Sequence, residues 1–150
     1  MIINSLMATL HHIFAFAVTA TLVYEFVAFR KNLTVEEARR ILHVDSAYGI
    51  SAGLLIVVGL LRVFFFEKGS AFYLNSNMYW IKMALFIIVG LLSIYPTVRF
   101  LKWRTALKEN KAPEITDDEF KRIRLFVHLE LTGIVLILLV APMMARGIGA

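Results

Sequence analysis

Ionisable side chains stand inside apolar runs of this chain, where each is expensive to keep. His11 and His12 open the first run and Glu25 closes it. His43, Asp45 and Arg62 belong to the second, Lys82 to the third, and His128 and Glu130 to the fourth. A charge at mid-bilayer costs roughly 3 kcal/mol or more, so such groups read first as functional. Their types point to three chemistries. Imidazoles can hold haem iron or a transition metal through a neutral ring nitrogen. Arg62 and Lys82 suit anionic groups such as haem propionates. Glu25, Asp45 and Glu130 are candidate proton carriers.

What is missing narrows the field. The chain has no cysteine, which excludes thiolate metal sites, iron–sulfur clusters and covalent haem attachment. It carries no Walker loop, GxGxxG, HExxH or GxSxG motif. A formal charge of +5 could suit nucleic acid, but the basic residues gather beside apolar runs, so headgroup attraction and topology control explain them better. No nucleic-acid partner is expected.

Helical geometry separates the two adjacent histidines, because neighbours on a helix differ by about 100°. His11 shares a stripe with Ala15, Val18, Leu22 and Glu25, whereas His12 shares one with Phe16, Thr19 and Val23. Glu25 must avoid lipid, so the His11 stripe is the one expected inside, with His11 as the candidate iron ligand. The plainer alternative is that His11 and His12 bond to neighbouring helices or meet a second copy of the chain, while Arg62 and Lys82 snorkel outward.

The remaining groups fall toward the other side of the bilayer. His43-Val-Asp45 and His128-Leu-Glu130 each place two polar side chains about 160° apart, so each pair offers one inward group. An ion-pair network with Arg30, Arg99 or Arg124, a proton path, and a metal site drawing on three helices all remain open. His128 is a further candidate cofactor ligand. Its expected depth lies about 12–15 Å from that of His11 along the membrane normal, which disfavours a shared iron. Met7, Met78 and Met83 are alternative axial ligands or apolar filling.

The elements that must position these groups are legible. The chain has 150 residues, 59% of them hydrophobic and 18% charged, against the roughly 25% charged of soluble domains. Its mean hydropathy is +0.74. Spans are expected near 4–29, 44–66, 78–101 and 124–145, each long enough to cross the hydrocarbon. They form one unit over 1–150: an all-α integral membrane four-helix bundle, up-down-up-down. The first span lacks the basic flank and cleavage site of a signal peptide. Arg30, Lys31, Arg39 and Arg40 follow span one, and eight further Lys and Arg lie between Arg99 and Arg124. Between spans two and three stands only Lys68, beside Glu67. The basic segments are therefore expected in the cytoplasm, with both termini periplasmic.

Thr34-Val-Glu-Glu37 and Thr116-Asp-Asp-Glu119 fit capping boxes, so helices two and four should begin about two turns before the membrane. Pro113 breaks the last linker, whereas Pro96 and Pro142 are tolerated within spans. Asp45, Gly49, Ala52, Ile56 and Gly59 make a narrow, largely small-residue stripe on helix two, expected at a close helix contact. Tyr73, Tyr79, Trp80 and Trp103 fall near the interfaces, where an aromatic belt is the ordinary reading.

The run Leu10-His11-His12-Ile13-Phe14, with Ala20, Leu22 and Tyr24 after it, resembles the first helix of the HemJ-type protoporphyrinogen oxidases. His11 is the matching histidine, and Arg62 and Lys82 fit that family's layout. The whole length is similar to an uncharacterised bacterial family of four-span proteins in the CopD-like superfamily, through Val44-Asp45-Ser46-Ala47-Tyr48-Gly49, His128-Leu129-Glu130-Leu131 and Ala145-Arg146-Gly147. The first resemblance implies haem b and porphyrinogen oxidation; the second implies copper handling. The chain departs from the HemJ type where Glu25-Phe26 replaces a Pro-Arg pair.

The expectation is thus a bacterial inner-membrane protein binding haem b through His11, with Arg62 and Lys82 on the propionates. It would act in electron transfer or porphyrinogen oxidation. Its expected partners are the lipid bilayer, a porphyrin or an electron-transfer protein, and a second copy of itself. A copper-handling protein and a non-catalytic helical subunit are the alternatives.

Overall fold

A computed structural model describes residues 2–66 and 69–148. Lys68 and Glu67, which enter the topology argument, lie outside the described residues. Four long helices carry the chain: α1 (Ile2–Ala28), α2 (Val35–Leu61), α4 (Asn77–Lys102) and α6 (Asp117–Ala145). All four are long and apolar enough to cross a membrane. Two short helices, α3 (Ser70–Leu74) and α5 (Arg104–Lys108), occupy the links on either side of α4, and α2 ends in a π-helical turn at Arg62–Phe66. Neither short helix nor the π turn is signalled by the apolar periodicity.

The caps set where α2 and α6 begin. Thr34 Oγ1 accepts from Glu37 N at 3.2 Å, and Glu37 returns a carboxylate to Thr34 N at 2.9 Å. At Thr116 only half of the expected box forms. Its hydroxyl accepts from Glu119 N at 3.2 Å, but the Glu119 carboxylate turns to Arg99 Nε at 3.5 Å. Pro113 falls in the non-helical stretch before α6, while Pro96 and Pro142 lie inside helices.

The helices pair unevenly. α1 packs along α2, and α4 along α6, with α6 closing back onto α1; α2 and α4 touch only over a short stretch. Buried Val18, Leu22, Ile41, Leu55, Val89, Val127 and Ile134 from all four helices form the core. Large apolar side chains point outward, Phe16 at 76% exposure and Val27 at 71% among them, as a lipid-facing surface requires.

At the end bearing the basic links, Phe29 stacks on Trp103 and Phe120, with ring centroids 6.2 and 5.3 Å apart. Trp103 is therefore a core residue and not a belt anchor, and Tyr73 and Tyr79 are buried in a second cluster with Val63 and Met144. Of the four aromatics expected at the interface only Trp80 is exposed. The short helices α3 and α5 fold Tyr73 and the segment after Trp103 back over the bundle ends, and that covering removes them from the lipid interface.

The stripe on α2 also differs from expectation. Asp45 is buried, Ala52 packs against the core, and a Cβ at Gly59 would stand 3.3 Å from His11 Cε1. A Cβ at Gly49 would meet nothing within 4 Å. Gly49 is exposed, because α2 diverges from α4 there and leaves a cleft.

Candidate functional site

Two polar levels lie along the bundle. Their spacing follows from α1, where His11 and Glu25 are 14 residues and so about 21 Å apart.

Near the chain termini, His11, His12, Arg62 and Lys82 line one cavity of about 450 Å³. Its apolar wall includes Leu55, Phe86, Ile137 and Met83, with Tyr73, Tyr79 and Met144 completing it. No carboxylate of a described residue lines it. The imidazoles of His11 and His12 meet edge to face, with centroids 6.3 Å apart. His11 lies against Gly59, whose missing side chain lets α1 approach α2 at that level. His12 Nδ1 donates to the Ala8 carbonyl at 2.7 Å. A carbonyl can only accept, so Nδ1 is the donor, and in the neutral tautomer with that proton Nε2 is the ring nitrogen open to a metal. Sequence reasoning missed Tyr73, Tyr79 and Met144. Tyr73 reaches the cavity only because α3 folds back, and no local signal announces that.

His128 lies elsewhere. Its ring packs on Phe26 at 6.1 Å, 15 residues along α1 from His11, or about 22 Å of helix rise. His43 and His128 are both exposed, and neither lines this cavity. A single iron cannot be shared by His11 and His128 within one copy of the chain.

The second level is buried. Glu25, Asp45 and Glu130 are 2%, 4% and 1% exposed and come from α1, α2 and α6. Tyr48 Oη donates to Glu130 Oε2 at 3.0 Å, and Thr97 Oγ1 donates to Asp45 Oδ1 at 2.7 Å, so α4 contributes as well. One oxygen of Glu25 is buried without a hydrogen bond among the described residues.

Among the described residues the ion-pair alternative does not form. Arg30 pairs with Glu37 at 3.7 Å, Arg99 with Glu119 at 3.5 Å, and Arg124 lies over the rings of Phe26 and Phe120. Nor are three histidine or carboxylate side chains close enough together to hold a metal ion among the described residues. Glu130 and Asp45 each accept from a hydroxyl on another helix, whereas no hydroxyl of a described residue reaches Glu25, and each such bond offsets part of the cost of burying a polar group. Tyr48 carries a faint sequence signal, three residues after Asp45 on the same helix face; Thr97 carries none.

This level is also a packing device. Tyr48→Phe leaves Glu130 without a donor from any described residue, and a stranded buried acceptor costs about 1–3 kcal/mol. A lower unfolding midpoint in detergent is expected, and an unchanged midpoint would show that Glu130 finds another donor.

The two levels are joined. A second cavity, also about 450 Å³, lies between α2 and α4 and is lined by Tyr48, Gly49, Gly90, Ser93 and Thr97. It shares Ala15, Leu55, Ile56, Phe86, Ile137 and Leu138 with the imidazole cavity, so the two adjoin.

Over residues 3–149 the chain matches the model of a family described as "Predicted membrane protein (DUF2214)". No curated protein and no solved structure matches it. The chain belongs to that family and is a multi-pass membrane protein.

Proposed function

We propose that this chain is a bacterial inner-membrane protein that binds haem b in the imidazole cavity and acts in electron transfer or porphyrinogen oxidation, as its resemblance to the HemJ type implies. One observation carries the reading: two imidazoles and two cations, from α1, α2 and α4, line a single apolar-walled cavity free of described carboxylates. The residues fit the group. Haem brings four nitrogen ligands of its own, so the protein need supply only one or two, which suits a chain without a three-residue metal cluster. The bound iron would supply one-electron chemistry.

His11 is the proposed axial ligand, on the residues that carry the resemblance. Arg62 and Lys82 would neutralise the propionates, and the apolar wall would exclude water. The hydrogen bond from His12 Nδ1 to Ala8 favours His12 as a second reading for the ligand. Glu25, Asp45 and Glu130 would hold the protons that accompany electron movement, with Tyr48 and Thr97 orienting two of them. The visible spectrum of the purified protein tests the assignment. A Soret band is expected; copper without haem would favour the metal-handling alternative, and neither would leave a helical subunit.

The orientation rests on charge. Arg30, Lys31, Arg39 and Arg40 lie at the same end of the bundle as the basic link before α6, and the positive-inside rule favours the cytoplasmic side for that end. Reporter fusions at the C-terminus are expected to be active only in a periplasmic form. Activity of a cytoplasm-specific reporter at that position would invert the topology.

A further inference from the structure

The cleft between α2 and α4 is largely apolar, and its few polar groups are hydroxyls, with no imidazole or cation among its lining residues. Four hydroxyls line it, and every one sends its hydrogen elsewhere. Tyr48 donates to Glu130 and Thr97 to Asp45. Ser93 donates to the Gly90 carbonyl at 2.7 Å, and Thr19 to the Ala15 carbonyl at 2.9 Å. Helical backbone N–H groups along the walls are committed to their own ladders. The described walls therefore offer a ligand hydrogen-bond acceptors, through the remaining lone pairs of these oxygens, set in an otherwise apolar slot. A matching ligand is lipid-soluble and carries hydrogen-bond donors.

The cleft is also open sideways. Gly49 and Gly90 are exposed, and a Cβ at either would meet nothing within 4 Å, so the gap faces the surface that lipid covers. Entry from the bilayer needs no passage through water. The carboxylates behind Tyr48 and Thr97 add a negative or proton-accepting backing, which favours a donor head over a carbonyl head.

We infer that this cleft binds the reduced, dihydroxy-aromatic head of a membrane quinol, with its hydroxyls on the Tyr48 and Thr97 oxygens. In naming a partner for the adjoining imidazole cavity this rests on the haem reading, whereas binding itself does not. The oxidised quinone carries carbonyl acceptors only and meets a wall of acceptors, so the site discriminates between the two redox forms.

Anaerobic calorimetric titration of the purified full-length protein in detergent, with duroquinol and with duroquinone as probes, tests this. Duroquinol is expected to bind saturably and about tenfold or more tighter than duroquinone, the difference two neutral hydrogen bonds can make. Gly90→Leu should fill the cleft and abolish binding; leucine is a better helix former than glycine and meets no neighbour there, so the fold is kept. Thr97→Val should weaken duroquinol several-fold and leave duroquinone unchanged. Absence of saturable duroquinol binding, equal affinity for the two probes, or binding that Gly90→Leu leaves intact would each overturn the proposal. A protein without a Soret band that still prefers duroquinol would fail the haem reading and retain this one.

Discussion

His11→Ala is expected to remove or strongly weaken the Soret band of the purified protein while leaving insertion and helical content unchanged. The expectation follows from the placement of His11 on the imidazole cavity with Arg62 and Lys82. If His11 holds haem iron as proposed, its loss would remove that bond, whereas the apolar wall and the two cations would remain. The fold should tolerate the change, because the ring lies against Gly59 at the edge of the core and not within the buried carboxylate level. His12→Ala is the necessary companion. If His12→Ala loses the band and His11→Ala keeps it, the ligand is the imidazole that Ala8 orients. If both keep it unaltered, the cavity is not a haem site. His128→Ala is expected to leave the spectrum unchanged, since His128 packs on Phe26 at the other level.

The second large effect concerns assembly, and it separates two glycines. A Cβ at Gly133 on α6 would run into the Val89 side chain on α4, whereas one at Gly49 on α2 meets nothing. Val89 is buried and β-branched, with one strongly preferred rotamer in a helix, so it cannot swing aside cheaply. Gly133→Leu should therefore cost at least the roughly 1–3 kcal/mol typical of overpacking, and should part α4 from α6. Gly49→Leu should leave stability near that of the parent protein. Thermal unfolding of both variants in detergent measures the contrast, and a Gly49→Leu protein as unstable as Gly133→Leu would mean that the α2–α4 cleft closes in solution.

Gly49 has the neighbours of a close-contact residue and yet makes no such contact. Small residues mark surfaces where helices can approach, but they do not say whether a neighbour arrives. On α2 the contact forms at Gly59, where His11 fills the space, at Ala52, which packs on the core, and at Asp45, where Thr97 supplies a donor. The tight glycine contact is on α6 instead, at Gly133, which has no small residue three or four positions away in either direction.

The sequence by itself determined the four long helices, their approximate extents and the ionisable residues they carry. These are local matters: span length follows from bilayer thickness, and Thr34 and Thr116 start α2 and α6 through bonds three residues away. It also determined that ionisable groups lie at two depths, because helical rise is fixed. Only the tertiary structure decided which groups meet. Tyr48 finds Glu130 across 82 residues and Thr97 finds Asp45 across 52, and the cleft exists because α2 and α4 diverge. The reason is that lipid is as apolar as leucine, so the hydrophobic pattern of a spanning helix does not tell its inner face from its outer one. Helix rotation is then set by packing and by the few polar pairs across the bundle, and those pairs are a property of the whole fold.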